Sequence, residues 1–167
     1  MAKKLDESFF ERKPQVVAKD LIGRVLIHKI DSKEITGIIQ ETFAYCKDSD
    51  NITQNYSGMS QNAGGVYIFD YRGNKFLNVT TSYYRSNPSC VHISKLIPIQ
   101  GTGSQKTDGP GKLTKTLKIP LSYNGIKLSR ENLWIEGDGV SSSSVREVRD
   151  KKKRRADVIC LGHYHLI

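Results

Sequence analysis

The 167-residue sequence has few cysteines, few prolines and no long apolar run. Cys46, Cys90 and Cys160 are odd in number and widely spaced, which excludes a disulfide framework or a zinc knuckle and reads as reduced thiols. No stretch approaches the roughly 18 uninterrupted apolar residues of a membrane span, so no membrane partner is expected. Met1-Ala-Lys-Lys leads straight into charged sequence, so a secretory leader is not expected either. The expected location is nuclear in a eukaryote and otherwise cytoplasmic, at the nucleoid. Internal repeats are also missing. Acidic residues are in the minority, 17 against 26 basic ones, for a formal charge of +9. A hydrophobic fraction of 37% still suffices for one core, and the length suits a single domain spanning residues 1–167.

The excess charge is concentrated. Lys151, Lys152, Lys153, Arg154 and Arg155 carry +5 of the +9, beside the serine run 141–144. Such a run attracts phosphate backbones through counterion release, or simply forms a solvated loop face. Residues 141–155 are expected to be a Ser-rich, basic loop.

The spacing of Phe9, Val16, Val17 and Leu21 predicts a helix over 7–22. Residues 24–30 and 34–45 read as strands joined by Asp31-Ser32-Lys33. A second hairpin places 66–71 and 75–81 around the three-residue turn Arg72-Gly73-Asn74. Between them, 48–65 is polar and reads as a long loop. Further strands are expected at 90–99, 133–136 and 157–161, and a short helix at 112–119. Strands outnumber helices and neighbours are joined by hairpins, so the expected class is α+β with a mostly antiparallel sheet.

Glu41, Phe43 and Tyr45 alternate with Gln40, Thr42 and Ala44, so they share one face of their strand. A carboxylate, a phenyl ring and a phenol in a row suit a pocket that stacks a planar ligand and polarises one of its bonds. They equally suit an edge strand whose rings pack inward. Tyr71 precedes the hairpin turn, with Arg72 and Lys75 beside it. A tip aromatic among cations can wedge between bases, or fold back over its own hairpin. Gly109-Pro110-Gly111-Lys112 is not a nucleotide-binding P-loop, because Lys106 stands where the first glycine belongs and Leu113 follows the lysine. Lys112 and Lys115 remain as phosphate-binding cations. His163 and His165 share a strand face but have no third ligand at an obvious spacing, so no metal and no cofactor is expected. His92, among apolar residues, reads as structural.

Taken in order, several segments resemble the alkyladenine (3-methyladenine) DNA glycosylase family. They are Phe9-Phe10-Glu11-Arg12, Val17 through Leu26, Glu41-Thr42-Phe43-Ala44-Tyr45, Tyr56-Ser57-Gly58, Phe76-Leu77-Asn78-Val79, Gly109 through Lys115 and Asn124 through Leu128. The resemblance is strongest over residues 8–136. It implies a curved antiparallel sheet with a few flanking helices and a protruding hairpin that enters DNA, a fold also like that of formyltransferase C-terminal domains. It implies a monomer that binds double-stranded DNA with damaged or distorted bases, flips out an alkylated purine and hydrolyses its N-glycosidic bond without metal or cofactor. By position, Tyr45 matches the base-stacking tyrosine, Tyr71 the intercalating tyrosine and Asn78 the asparagine that tests the purine edge.

Three positions depart from the family pattern. Phe43 stands where the second glutamate of Glu-Thr-Glu-Ala-Tyr acts as general base. Gln54 replaces a histidine that contacts the flipped base, and Ser94 falls about where a supporting arginine is expected. Loss of a general base costs about 10²–10⁴ in rate. Glu41 is on the right face but roughly 6.5 Å along the strand from the lost carboxylate. Two readings follow: a glycosylase of reduced activity with Glu41 as relocated base, or an inactive module that still binds lesions.

Overall fold

The computed structural model describes residues 2–47, 59, 62–128, 132–148, 154–155 and 158–167, with the backbone alone at 154, 155 and 158. Gln54 and Lys151–Lys153 therefore lie outside the described residues, as does most of the polar 48–65 segment.

The N-terminal helical stretch is two helices, α1 (Glu7–Phe10) and α2 (Pro14–Leu21). The single helix expected over 7–22 breaks because the residue before a proline is driven out of the helical region. Lys13 duly adopts φ −56° and ψ 140°, and Pro14 starts a new helix at the position proline tolerates. Strands β1 (Val25–Ile30) and β2 (Lys33–Lys47) form the first hairpin, and β3 (Val66–Tyr71) and β4 (Asn74–Thr80) the second. Both turns are one residue tighter than their expected three. Ile30 pairs with Lys33 and Tyr71 with Asn74, leaving two residues in each loop. In the second, Arg72 and Gly73 both have positive φ (51° and 81°), the left-handed pair that a two-residue hairpin requires.

Strand β5 (Ser89–Gln100) is followed by α3 (Pro110–Thr116), β6 (Leu133–Glu136), β7 (Val145–Glu147), β8 (Arg154–Arg155) and β9 (Val158–Leu166). The expected basic loop at 141–155 is thus corrected. It contains a 3-10 turn at Ser142–Ser144, and both β7 and β8 pair with β9. The last strand also runs five residues past its expected end at 161, through both histidines. A strand with partners on both sides keeps its backbone bonded for as long as those partners last.

All strands join one antiparallel sheet of order β3-β4-β5-β2-β1-β6, with β9 also bonded to β2. One sheet face is aliphatic. Leu77, Val79, Val91, Ile93, Ala44 and Tyr164 pack there with Val17, Ala18 and Leu21 of α2 in the main core. Each such fully buried aliphatic side chain contributes about 1.5–3 kcal/mol. Thr42 Oγ1 donates to the Ala18 carbonyl at 2.7 Å, tying α2 to β2. At the β6 end the single tryptophan, Trp134, is buried. The alternation that sends Thr42, Ala44 and Tyr164 to this core sends Glu41, Phe43, Tyr45, His163 and His165 to the opposite face. No helix among the described residues is long and apolar enough to cross a membrane.

Candidate functional site

The opposite face carries an unbroken row of rings. It starts at the second hairpin's tip, where Tyr71 is 48% exposed and the Arg72 guanidinium lies 5.2 Å from its ring centroid. Tyr71 neighbours Phe69 and Phe76, with centroids 6.3 and 6.4 Å away. Phe76 meets His92 at 5.4 Å, and His92 meets Phe43 at 6.0 Å and Tyr45 at 6.5 Å. Phe43 stacks on Tyr45 at 6.0 Å and, more closely, on His163 at 3.9 Å with the planes 13° apart. Strand register makes the row. Phe69 opposes Phe76, Asn78 opposes His92, and Phe43 opposes both His92 and His163. His92, expected to be structural, is buried with Nδ1 3.2 Å from the Leu77 carbonyl oxygen, and its ring lies within the row.

The tyrosines predicted to act together sit at different depths. Tyr45 is 7% exposed, in a small apolar cluster with Phe43, Met59, Tyr67 and Cys90, whereas Tyr71 reaches solvent. Asn78 is buried between them. Its Nδ2 donates to the carbonyls of Tyr67 and Phe76, both at 3.1 Å, and its Oδ1 faces Cys90 Sγ at 3.8 Å.

The hairpin tip overhangs. β4 pairs with β5 only at Asn78, Val79 and Thr80, so Asn74–Leu77 lack that neighbour. Helix α3 props the overhang, with Thr114 Oγ1 donating to the Lys75 carbonyl at 2.7 Å. Gly111 permits the approach, since a Cβ there would meet Asn74 Oδ1 at 2.8 Å. A cleft of about 380 Å³ between them is lined by Lys75 and Lys115, while Lys112 is exposed and pairs with Asp108 at 3.3 Å. Arg154 and Arg155 form β8, beside β9.

At the other end of the row the face turns polar around Glu41. The β2–β5 ladder is irregular on both sides of it, pairing Ile39 with Leu96, Glu41 with Lys95 and Thr42 with Ile93. Ser94 is thereby left over as the extra residue of a bulge, a device that re-aims side chains. Its Oγ donates to Glu41 Oε1 at 2.5 Å, and Lys95 Nζ lies 3.5 Å from Oε2. From β9, His163 Nε2 lies 3.2 Å from the same Oε2, and His165 Nε2 makes a still closer contact with it. Burial alone would raise the Glu41 carboxyl's pKa. The hydrogen bonds from Ser94 and His163, with the charges of His165 and Lys95, outweigh burial and hold it below the ordinary value.

Glu41 and Ser94, singled out separately in the sequence, are brought together. The two histidines supply the part that sequence reasoning missed. Their alternation around Tyr164 was legible; the third donor opposite them was not, because it depends on β9 lying against β2. Glu41, His163 and His165 each offer one donor atom, all within 4.8 Å of one another.

The family profile described as methylpurine-DNA glycosylase matches residues 8–156. A Borreliella afzelii protein named "Putative 3-methyladenine DNA glycosylase" is 38% identical over 141 residues, covering 77% of this chain and 75% of its own. A Borrelia garinii protein of the same name is 34% identical over 146 residues (80% and 78%), and one from Chlorobium phaeobacteroides 31% over 153 (80% and 76%). Such a match, carried over most of both chains, leaves one assignment: this chain belongs to the methylpurine-DNA glycosylase family, whose members are DNA N-glycosylases acting on N-glycosyl bonds in base excision repair.

Proposed function

We propose that the protein binds double-stranded DNA as a monomer at the bacterial nucleoid, turns a damaged purine out of the stack and hydrolyses its N-glycosidic bond at reduced rate. The observation that carries this reading is the continuous row of rings from exposed Tyr71 to Tyr45 and His163. A wedge acts together with a stacking platform, and the row runs from exposed Tyr71 to the buried rings of Phe43 and Tyr45. Tyr71 fills the gap in the duplex, Arg72 and Lys75 hold the phosphates beside it, and Lys112 and Lys115 extend the grip on the backbone. Gln54 and Lys151–Arg155 are further contacts on the flipped base and the backbone respectively. Phe43 and Tyr45 stack the base, and Asn78 tests its edge.

Glu41 is the carboxylate of that face, and its low pKa keeps it ionised at neutral pH, ready to accept a proton from water. A low pKa also makes it a weak base, and both its oxygens already have partners. Slow hydrolysis follows. The test is single-turnover release of base from methylated or deaminated duplex DNA with excess protein, read by alkali cleavage of the abasic sites. Measurable release that Glu41→Gln abolishes supports the reading. The same engagement of Glu41, with phenylalanine at position 43, favours a second reading, a lesion-binding protein without hydrolysis. It is distinguished by no release at long incubation together with tight binding that Tyr71→Ala weakens. Absence of both release and Tyr71-dependent binding refutes the two together.

A further inference from the structure

From the convergence of Glu41, His163 and His165, we infer that this chain holds one divalent transition-metal ion of the zinc class at the junction of β2 and β9. Each donor is placed by the fold. Glu41 stands directly opposite His165 in the β2–β9 ladder, and His163 opposite Phe43 is its diagonal neighbour. Both imidazoles bring Nε2 close to a single carboxylate oxygen. Bonds of 2.0–2.2 Å to a tetrahedral zinc ion put neighbouring donors roughly 3.3–3.6 Å apart. The 3.2 Å between His163 and Glu41 is close to that edge, whereas the tighter His165–Glu41 contact must open and the set, now spread within 4.8 Å, must draw together as the ion enters.

Two further features are those of a built site. The bulge that strands Ser94 brings its hydroxyl onto Glu41 Oε1, fixing the carboxylate with Oε2 toward the histidines. The Phe43 ring, stacked 3.9 Å from His163, fixes that imidazole's plane. Two nitrogens and one carboxylate oxygen match the donor set of open sites, in which water completes the shell. The His165 side chain, 20% exposed against 9% for the other two, marks the open side. Lys95 is the competitor. Its ammonium lies 3.5 Å from the same oxygen but on a side chain 37% exposed, free to swing into solvent when the ion enters.

This inference goes beyond the DNA reading and does not depend on it. An ion bound here takes Glu41 as a ligand, so proton transfer by Glu41 belongs to the metal-free chain. The test uses the full chain stripped with a chelator, titrated calorimetrically with Zn²⁺ alone and then with Co²⁺, whose visible absorption reports tetrahedral coordination. One ion per chain is expected. His165→Ala weakens binding at least tenfold and removes the visible bands, with the far-ultraviolet spectrum unchanged. Lys95→Met removes the competing ammonium and tightens binding severalfold, an outcome that loss of folding cannot mimic. No stoichiometric uptake by the wild-type chain overturns the inference. So does undiminished binding in His165→Ala, which places the ion elsewhere, for instance on the thiols. Neither result bears on base release, which is measured without added metal.

Discussion

The two ends of the ring row are built on opposite plans. At the hairpin tip, Tyr71 and Arg72 are exposed and half of β4 lacks its neighbour on β5, so few contacts would be lost by changing them. Around Glu41, four side chains from two other strands converge on a single buried carboxylate. The tip is free for a partner the molecule does not contain. The polar end is already satisfied internally, so its chemistry and its stability are one property. Substitutions at the tip should therefore report function alone, and substitutions at the polar end should disturb both.

The sharpest test of that contrast is Glu41→Ala. It leaves buried His163, half-buried His165 and a serine without their acceptor, and should lower unfolding stability by about 3 kcal/mol, seen as a shift in the urea midpoint. A change below about 0.5 kcal/mol would show the cluster to be no more structural than the tip. Next in size is Phe43→Glu, which returns a carboxylate to the family's catalytic position against His163. It should raise the single-turnover rate of base release by about 10². Unchanged release by a folded variant would place the defect in the partners, Gln54 and Ser94, instead of in position 43. Tyr71→Ala should weaken duplex binding by about 1–3 kcal/mol, as one lost base–aromatic stack does, in titrations at fixed salt. Its unfolding free energy should stay within about 0.5 kcal/mol of wild type. Equal affinity would remove the wedge.

The smallest effect belongs to a control outside both ends. His28 is buried, with its Nδ1 on the Leu117 carbonyl and its Nε2 3.0 Å from the Tyr123 hydroxyl. Burial lowers its pKa from the ordinary 6.5, against the opposing pull of the Leu117 carbonyl. A depressed folded pKa means that the unfolded chain takes up the proton first as pH falls. Stability from neutral His28 is therefore complete above about 6.5 and declines below it, down through the folded value. His28→Gln should flatten melting temperature against pH in that window. An unaltered slope would assign the acid sensitivity to other groups.

Much of this arrangement was legible in the residues, and the part that was not has a common cause. Val66–Tyr71 and Leu133–Glu136 were bounded correctly because turn residues flank short alternating runs, and those signals are local. The common face of Glu41, Phe43 and Tyr45 followed from strand period alone. The break at Lys13 was also local, and Pro14 announces it once its effect on the preceding residue is weighed against apolar spacing. What sequence spacing could not supply was register between distant strands. His92, Phe76 and His163 join one row only because β4, β5, β2 and β9 lie side by side. Ser94 reaches Glu41 only because two irregularities occur in one ladder. The serine, read as a lost arginine, became a hydrogen-bond donor through geometry with no signature of its own.

Trp134 has a practical corollary. It is the chain's single indole, buried on β6, at the far end of the strand order from the hairpin that carries Tyr71. Its emission will follow melting of the whole sheet and stay silent when a nucleic acid docks at the tip. One optical signal thus monitors integrity while a duplex labelled with a dye that absorbs in the visible monitors engagement, and the two can be recorded in the same cuvette.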